Sequence, residues 1–120
     1  MTNPLNIQIG GSHYESSFQP IELFALLNFN SFQANVFKYA FRCKNKNGLE
    51  DLEKALHYVE LAIELKPKNF VPTNSYMDIL QRFWRSNDSV FLFRALSIHI
   101  CSQQWGEAKA IVEKMIKGYE

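Results

Sequence analysis

The 120 residues of the chain are enough for one domain with a modest hydrophobic core. Hydrophobic residues make up 47% and charged residues 21% of the sequence, a balance that excludes a disordered chain. The formal net charge is +1, so no overall field draws the molecule to nucleic acid or to a membrane, and we expect neither partner. Any electrostatic attraction must come from local clusters of charge.

The chain begins with a segment that has little periodicity. Residues 1–19 contain a Gly10-Gly11 pair, which predicts an extended arm with a turn at the two glycines. Pro20 suits the first turn of a helix, and an apolar run follows it. Ser31 lies where that run is interrupted, and we expect it to cap a second helix.

The next two predicted helices form the most regular part of the sequence. Residues 32–44 and 49–65 both carry apolar residues at helical spacing. Asn47 and Gly48 mark a short turn between them. A turn of this length joins antiparallel helices, so we expect a helical hairpin with no strand in residues 32–65.

The remainder of the chain also has helical patterns. Pro67 and Pro72 bracket a linker that no helix can cross. Three shorter helices are predicted after it, with a capping cluster at Asn87, Asp88 and Ser89 between the first two: residues 76–85, 90–103 and 105–117. The sequence therefore predicts an all-α fold, a compact bundle of about five to six helices with an extended N-terminal arm. Residues 1–66 would form the core of this single domain, and residues 67–120 a helical extension packed on it.

Several other classes of protein are disfavoured by missing signals. Cys43 and Cys101 are far apart and lack metal-like neighbours, so we expect two reduced thiols. No histidine pair has the spacing of metal ligands, and phosphate-loop, dinucleotide-fold and GxSxG patterns are absent. The N-terminus does not resemble a secretory signal, and polar residues interrupt the longest apolar stretch. We therefore expect a cytoplasmic protein.

Polar residues at the edges of the two hairpin stripes form a candidate site. At about 100° per residue, each helix places a group of them on one face, beside its apolar stripe. These groups are Asn35, Lys38, Tyr39 and Arg42 on the second helix, and Asp51, Lys54 and Tyr58 on the third. If the helices pair through their stripes, one small volume holds an amide, two or three cations, a carboxylate and two phenols.

The charge pattern of the same region also points to an anion. Four cations follow one another without an intervening acid: Lys38, Arg42, Lys44 and Lys46. Such a cluster can bind an anion, and backbone N–H groups at the start of the next helix add to it. The alternative is a solvated basic loop whose cations pair with the acids that follow, namely Glu50, Asp51 and Glu53.

The runs GGSHY, QPIELF and ANVFKYAFRCKNKNGLEDLEKALHYVELAIE resemble a family of small proteins from tailed phages, long described as a domain of unknown function. That family includes the small nucleotide kinase of podophages, an enzyme without a phosphate-binding loop. The resemblance covers residues 8–65. Its pattern is matched by His13, Tyr14, Pro20, Glu22, Asn35, Lys38, Tyr39, Arg42, Lys46, Asn47, Gly48, Asp51, Leu52, Lys54, Ala55 and Tyr58. Ala34 departs from it, because the family usually has glycine there.

The resemblance implies a phage origin, the cytoplasm of an infected bacterium and a nucleotide ligand. Cations would bind the phosphates, and Tyr39, Tyr58 and Asn35 would contact the base. His13 and Tyr14 on the N-terminal arm would cover the ligand. Lysines at positions 38 and 46 complete the predicted binding set. If the protein is a nucleoside monophosphate kinase, we expect three residues to act in catalysis: Arg42, Asp51 and Lys54. Asp51 would hold a metal or orient the acceptor phosphate.

Three functions remain open at this point. The first is a nucleoside monophosphate kinase that uses a nucleoside triphosphate such as ATP, with an undetermined need for a divalent metal. The second is a protein that sequesters a nucleotide without turnover. The third is a helical adaptor that inhibits a host protein through the basic surface. Many apolar positions in short helices also favour a homo-oligomer.

Overall fold

The computed structural model describes residues 18–45, 47–68 and 76–119. Across these ranges every regular element is an α-helix, and six helices form a bundle with a radius of gyration of 14.1 Å. They are α1 (Pro20–Leu27), α2 (Ser31–Arg42), α3 (Gly48–Leu65), α4 (Tyr76–Ser86), α5 (Phe91–Cys101) and α6 (Trp105–Tyr119). The prediction of an all-α bundle of five to six helices is confirmed. The extended arm predicted for residues 1–19 lies outside the described residues, apart from Phe18 and Gln19.

The cap of α2 differs from the prediction by one residue. Asn30, not Ser31, is the N-cap, because its extended backbone places its side chain over the first turn. The Asn30 side-chain oxygen accepts a hydrogen bond from the Gln33 N–H at 2.8 Å, and the Gln33 side chain accepts one from the Asn30 N–H at 2.9 Å. This reciprocal capping box satisfies two N–H groups that the helix cannot pair.

Helices α2 and α3 form the predicted hairpin. Tyr39, near the end of α2, stacks on Tyr58 of α3. A glycine is required where α3 begins, because a Cβ on Gly48 would collide with the Cys43 carbonyl and with the Tyr119 ring. Tyr119 lies on α6 and donates a hydrogen bond to that same carbonyl. The turn of the hairpin is thus closed by the last helix.

The core forms where the hairpin meets the later helices. Phe37 of α2 is fully buried, and its ring makes edge-on contacts with Phe83 of α4 at 5.2 Å and with Phe93 of α5 at 5.0 Å. Small residues such as Ala55 and Ala62 are buried on α3, which α6 packs against. The buried aromatic centre fixes α2 and so the direction of its exposed side chains.

Hydrogen bonds of buried amide side chains also connect earlier elements of the bundle to later ones. The buried Gln33 side chain donates to the Ile100 carbonyl at 2.9 Å, at the C-terminal end of α5. The buried Asn87 side chain donates to the Phe18 carbonyl at 2.9 Å. The predicted capping cluster at residues 87–89 does not cap α5, whose N-cap is Val90 without a side-chain bond. Asn87 instead holds the segment that leads into α1.

Within the described ranges, no helix has the length and apolar character needed to cross a membrane.

Candidate functional site

Three cations surround one aromatic ring on the exposed side of the hairpin. The Lys38 Nζ lies 4.6 Å from the centre of the Tyr39 ring, the Lys54 Nζ 5.4 Å and the Arg42 guanidinium carbon 5.8 Å. The Tyr39 ring also stacks on Tyr58, with 5.9 Å between centroids and 11° between planes. We call these five residues the tyrosine–cation cluster. The structure therefore brings together five of the residues predicted from the sequence.

The cations of this cluster differ in their partners. Lys54 pairs with Glu50, one helical turn earlier, at 3.5 Å. Lys38 and Arg42 have no carboxylate within 4.0 Å in residues 18–45, 47–68 and 76–119. The sequence allowed the basic region to be neutralised by Glu50, Asp51 and Glu53. In the described chain, only Lys54 of this cluster forms such an ion pair. Lys38 and Arg42 are available to bind an anion from outside.

A groove lies on the other side of the same two cations. It is bordered by the start of α1 and by α2 and encloses about 210 Å³. Pro20, Ile21, Phe24 and Phe41 give it apolar walls, and Lys38 and Arg42 also line it. We call it the α1–α2 groove. An apolar surface and two positive charges thus meet in one place.

The helical period of α2 explains why the cations lie between the two features. Successive residues are rotated by about 100°, so Phe41 and Tyr39 point to opposite sides of Lys38. Phe41 faces the groove and Tyr39 faces α3. Lys38 and Arg42 are one turn apart and half-buried. Their apolar stems can cover the helix while their charged ends remain near the surface.

Asp51 occupies a different position from the tyrosine–cation cluster. It is only 3% exposed, in the first turn of α3, and it acts electrostatically on Cys43 and Tyr119. Burial raises the pKa of the Cys43 thiol, and the Asp51 charge raises that pKa further. The predicted catalytic carboxylate therefore lies under the turn of the hairpin, where α6 closes it.

The other predicted site residues are placed as follows. The Asn35 side chain donates a hydrogen bond to the Ser31 carbonyl of its own helix at 2.8 Å. His13, Tyr14 and Lys46 lie outside the described residues. In the ranges that are described, no three histidine, cysteine or acidic residues are grouped closely enough to hold a metal ion.

Sequence reasoning missed the apolar half of the site. Ile21 is 60% exposed in the α1–α2 groove, although it belongs to an apolar run that carried no site signal of its own. Phe41 lies at core spacing and is in fact shared between the core and the groove. The run QPIELF was one of the segments that carry the family resemblance. That resemblance was the signal that could have directed attention to α1.

Comparison with known proteins gives a match to a protein family. Residues 4–60, a little under half of the chain, match the model of a family described as proteins of unknown function, DUF3310. The matched residues include the start of α1, all of α2 and all five members of the tyrosine–cation cluster. No curated protein and no solved structure matches the chain. The site thus lies within the part that is similar to this family.

Proposed function

We propose that the protein is a phage nucleotide-binding protein and that its tyrosine–cation cluster binds the phosphate groups. The observation that carries this proposal is the pair of half-buried cations, Lys38 and Arg42, without an acidic partner in the described chain. Cations held together repel one another, so an anion that binds between them removes this repulsion. The family resemblance favours a nucleotide as the source of that anion.

The residue types suit a phosphate. Arg42 offers a planar fork that can donate two parallel hydrogen bonds, and Lys38 and Lys54 add mobile point charges. Lys54 can exchange its exposed partner Glu50 for a phosphate at little cost, since exposed ion pairs contribute about 0–1 kcal/mol. The three charges lie around one ring and can therefore act on one phosphate group or on two neighbouring ones.

Phosphoryl transfer is the further step of the proposal. A nucleoside monophosphate kinase needs positioned substrates and neutralised phosphate charge more than covalent chemistry. Arg42 and Lys54 would supply that neutralisation, with ATP as the donor. Asp51, beneath the hairpin turn, is the weakest part of the catalytic set, because its neighbours are Cys43 and Tyr119. The geometry therefore supports binding more directly than turnover.

Calorimetric titration with nucleoside mono- and triphosphates tests the binding proposal. We expect Arg42→Ala to weaken binding by about 10- to 100-fold, since one charge-assisted hydrogen bond contributes about 1.5–3 kcal/mol. Lys114→Ala is the control, because Lys114 is an exposed cation on α6. Salt must be held constant, since phosphate contacts are screened. Equal affinities for the wild type and both variants would contradict this phosphate site.

An assay with labelled nucleoside monophosphates and ATP separates the functions that remain. Formation of a labelled diphosphate would establish the kinase. Binding without turnover would favour a protein that sequesters nucleotides. If no nucleotide binds, the basic surface is better explained as a contact with a host protein, and the nucleotide proposal fails.

A further inference from the structure

We infer that the α1–α2 groove is the subsite for the base of the bound nucleotide, an assignment that rests on the proposed function. The sequence predicted that Tyr39, Tyr58 and Asn35 would contact the base. The structure gives these side chains other partners, and it places an open apolar surface next to the same cations.

The faces of the Tyr39 ring are already in use. One contact is the stack with Tyr58, and three cations lie within 5.8 Å of the ring centre. A base that stacked on Tyr39 would have to displace Tyr58 or the phosphate-binding cations. The Asn35 amide donates to the Ser31 carbonyl and would lose that bond on turning to a ligand. The side of α2 that faces α3 is therefore better suited to bind a phosphate group than a base.

The groove has the properties that a base requires. Its walls include two aromatic rings, Phe24 and Phe41, and apolar walls of this kind are usual in sites for small molecules. Its volume of about 210 Å³ is smaller than the roughly 300–1,000 Å³ of pockets that hold a whole drug-sized ligand. It can thus hold one part of a nucleotide, while the phosphates extend over Lys38 and Arg42.

The charge pattern commits the groove to an anionic ligand. Lys38 and Arg42 line it, and no described acidic residue does so. The Arg42 guanidinium is planar and can stack on an aromatic base while it also reaches a phosphate oxygen. A nucleotide has a planar base with apolar faces at one end and anionic phosphate at the other, so its two ends match the two surfaces that these cations separate.

Ile21 allows the subsite to be tested without disturbing the fold. Its side chain is 60% exposed, and a base in the groove would cover part of it. Leu26 is on the same helix, is 51% exposed and does not line the groove. Ile21→Ala and Leu26→Ala therefore form a matched pair, since both remove an exposed aliphatic side chain from α1.

The experiment compares two ligands by NMR titration of the full chain. One is the tightest-binding monophosphate among AMP, GMP, CMP and UMP, and the other is ribose 5-phosphate, which lacks only the base. We expect Ile21→Ala to weaken binding of the monophosphate by about three- to tenfold. Leu26→Ala should leave that affinity unchanged. Ribose 5-phosphate should bind the wild type more weakly than the monophosphate, and neither variant should alter its affinity.

Other results would overturn the inference in distinguishable ways. Ile21→Ala and Leu26→Ala could bind the monophosphate equally well while Arg42→Ala still loses binding. That result would contradict the base subsite and leave the phosphate site supported. If Ile21→Ala lowers the affinities for ribose 5-phosphate and for the monophosphate equally, the groove binds the sugar and not the base. If the wild type binds no nucleotide, the proposed function fails, and the base subsite fails with it.

Discussion

The two sides of the α2–α3 hairpin use charge in opposite ways. On the side of α3 that meets α6, Glu60 pairs with Lys109 across the helices at 3.5 Å, and α6 packs against small buried residues. On the exposed side of α2, Lys38 and Arg42 lie near the same ring, and neither forms an ion pair with an acid of the described chain. On the first side a cation is paired with an acid, whereas on the second side two cations can still bind an anion.

This difference separates residues that maintain the fold from residues that bind a ligand. Unpaired like charges on one helix face destabilise it slightly, so they are expected where binding requires them. Buried contacts of the packed side can be altered only at a cost in the free energy of unfolding. Changes on the open side should mainly alter affinity. Substitutions on both sides of the hairpin can therefore test this separation.

Among the packed residues of the hairpin, the strongest response is expected at Phe37, on the face of α2 that meets α4 and α5. This ring is fully buried and contacts Phe83 and Phe93, so Phe37→Ala leaves a large cavity. We expect the free energy of unfolding to fall by about 3–5 kcal/mol, measured by urea denaturation. Phe91→Ala is the matched control, since Phe91 is 80% exposed, and its effect should stay within about 0.5 kcal/mol. Similar losses in both variants would refute this account of the core.

A pair of glycines gives a second comparison, with effects of opposite sign. In Gly48→Ala the new methyl group meets the Cys43 carbonyl and the Tyr119 ring, so we expect a loss of about 1–3 kcal/mol in stability. In Gly106→Ala on α6 the methyl group meets nothing within 4 Å, and stability should rise by about 0.4–1 kcal/mol. Denaturant titration of both variants checks the prediction. A stabilised Gly48→Ala protein would mean that α6 does not close the turn.

Gly48 also shows how far the sequence alone could go. The Asn47-Gly48 pair predicted a turn, and helical spacing predicted the hairpin, because both signals are local. Two contacts make Gly48 necessary: one with the nearby Cys43 carbonyl and one with Tyr119. Nothing in the local pattern reveals the second partner, which is distant along the chain. The tyrosine–cation cluster was predictable because its members lie on one face of each of two paired helices. The α1–α2 groove was not, since it depends on how α1 packs beside α2.

The smallest predicted effect concerns the open side and inorganic phosphate. If Lys38 and Arg42 bind anions, phosphate should stabilise the folded protein relative to chloride at equal ionic strength, because it binds only that state. The gain is about 0.8 kcal/mol at a phosphate concentration three times the Kd. Arg42→Gln should lose most of this gain, whereas Lys109→Gln should keep it, because Lys109 lies on α6, outside the tyrosine–cation cluster and next to the opposite charge of Glu60.

The difference between phosphate and chloride is the quantity to compare, not the baseline stability of each variant. Arg42 is the last residue of α2, where a cation is favoured by about 0.3–1 kcal/mol through the helix dipole, so Arg42→Gln lowers the baseline as well. Phosphate also stabilises folded proteins in general by exclusion from their surface, an effect that both variants share. Thermal denaturation in matched buffers therefore isolates the specific part. Lys109→Gln could lose as much of the stabilisation by phosphate as Arg42→Gln does. In that case phosphate does not distinguish the two sides of the hairpin, and the proposed separation between them is wrong.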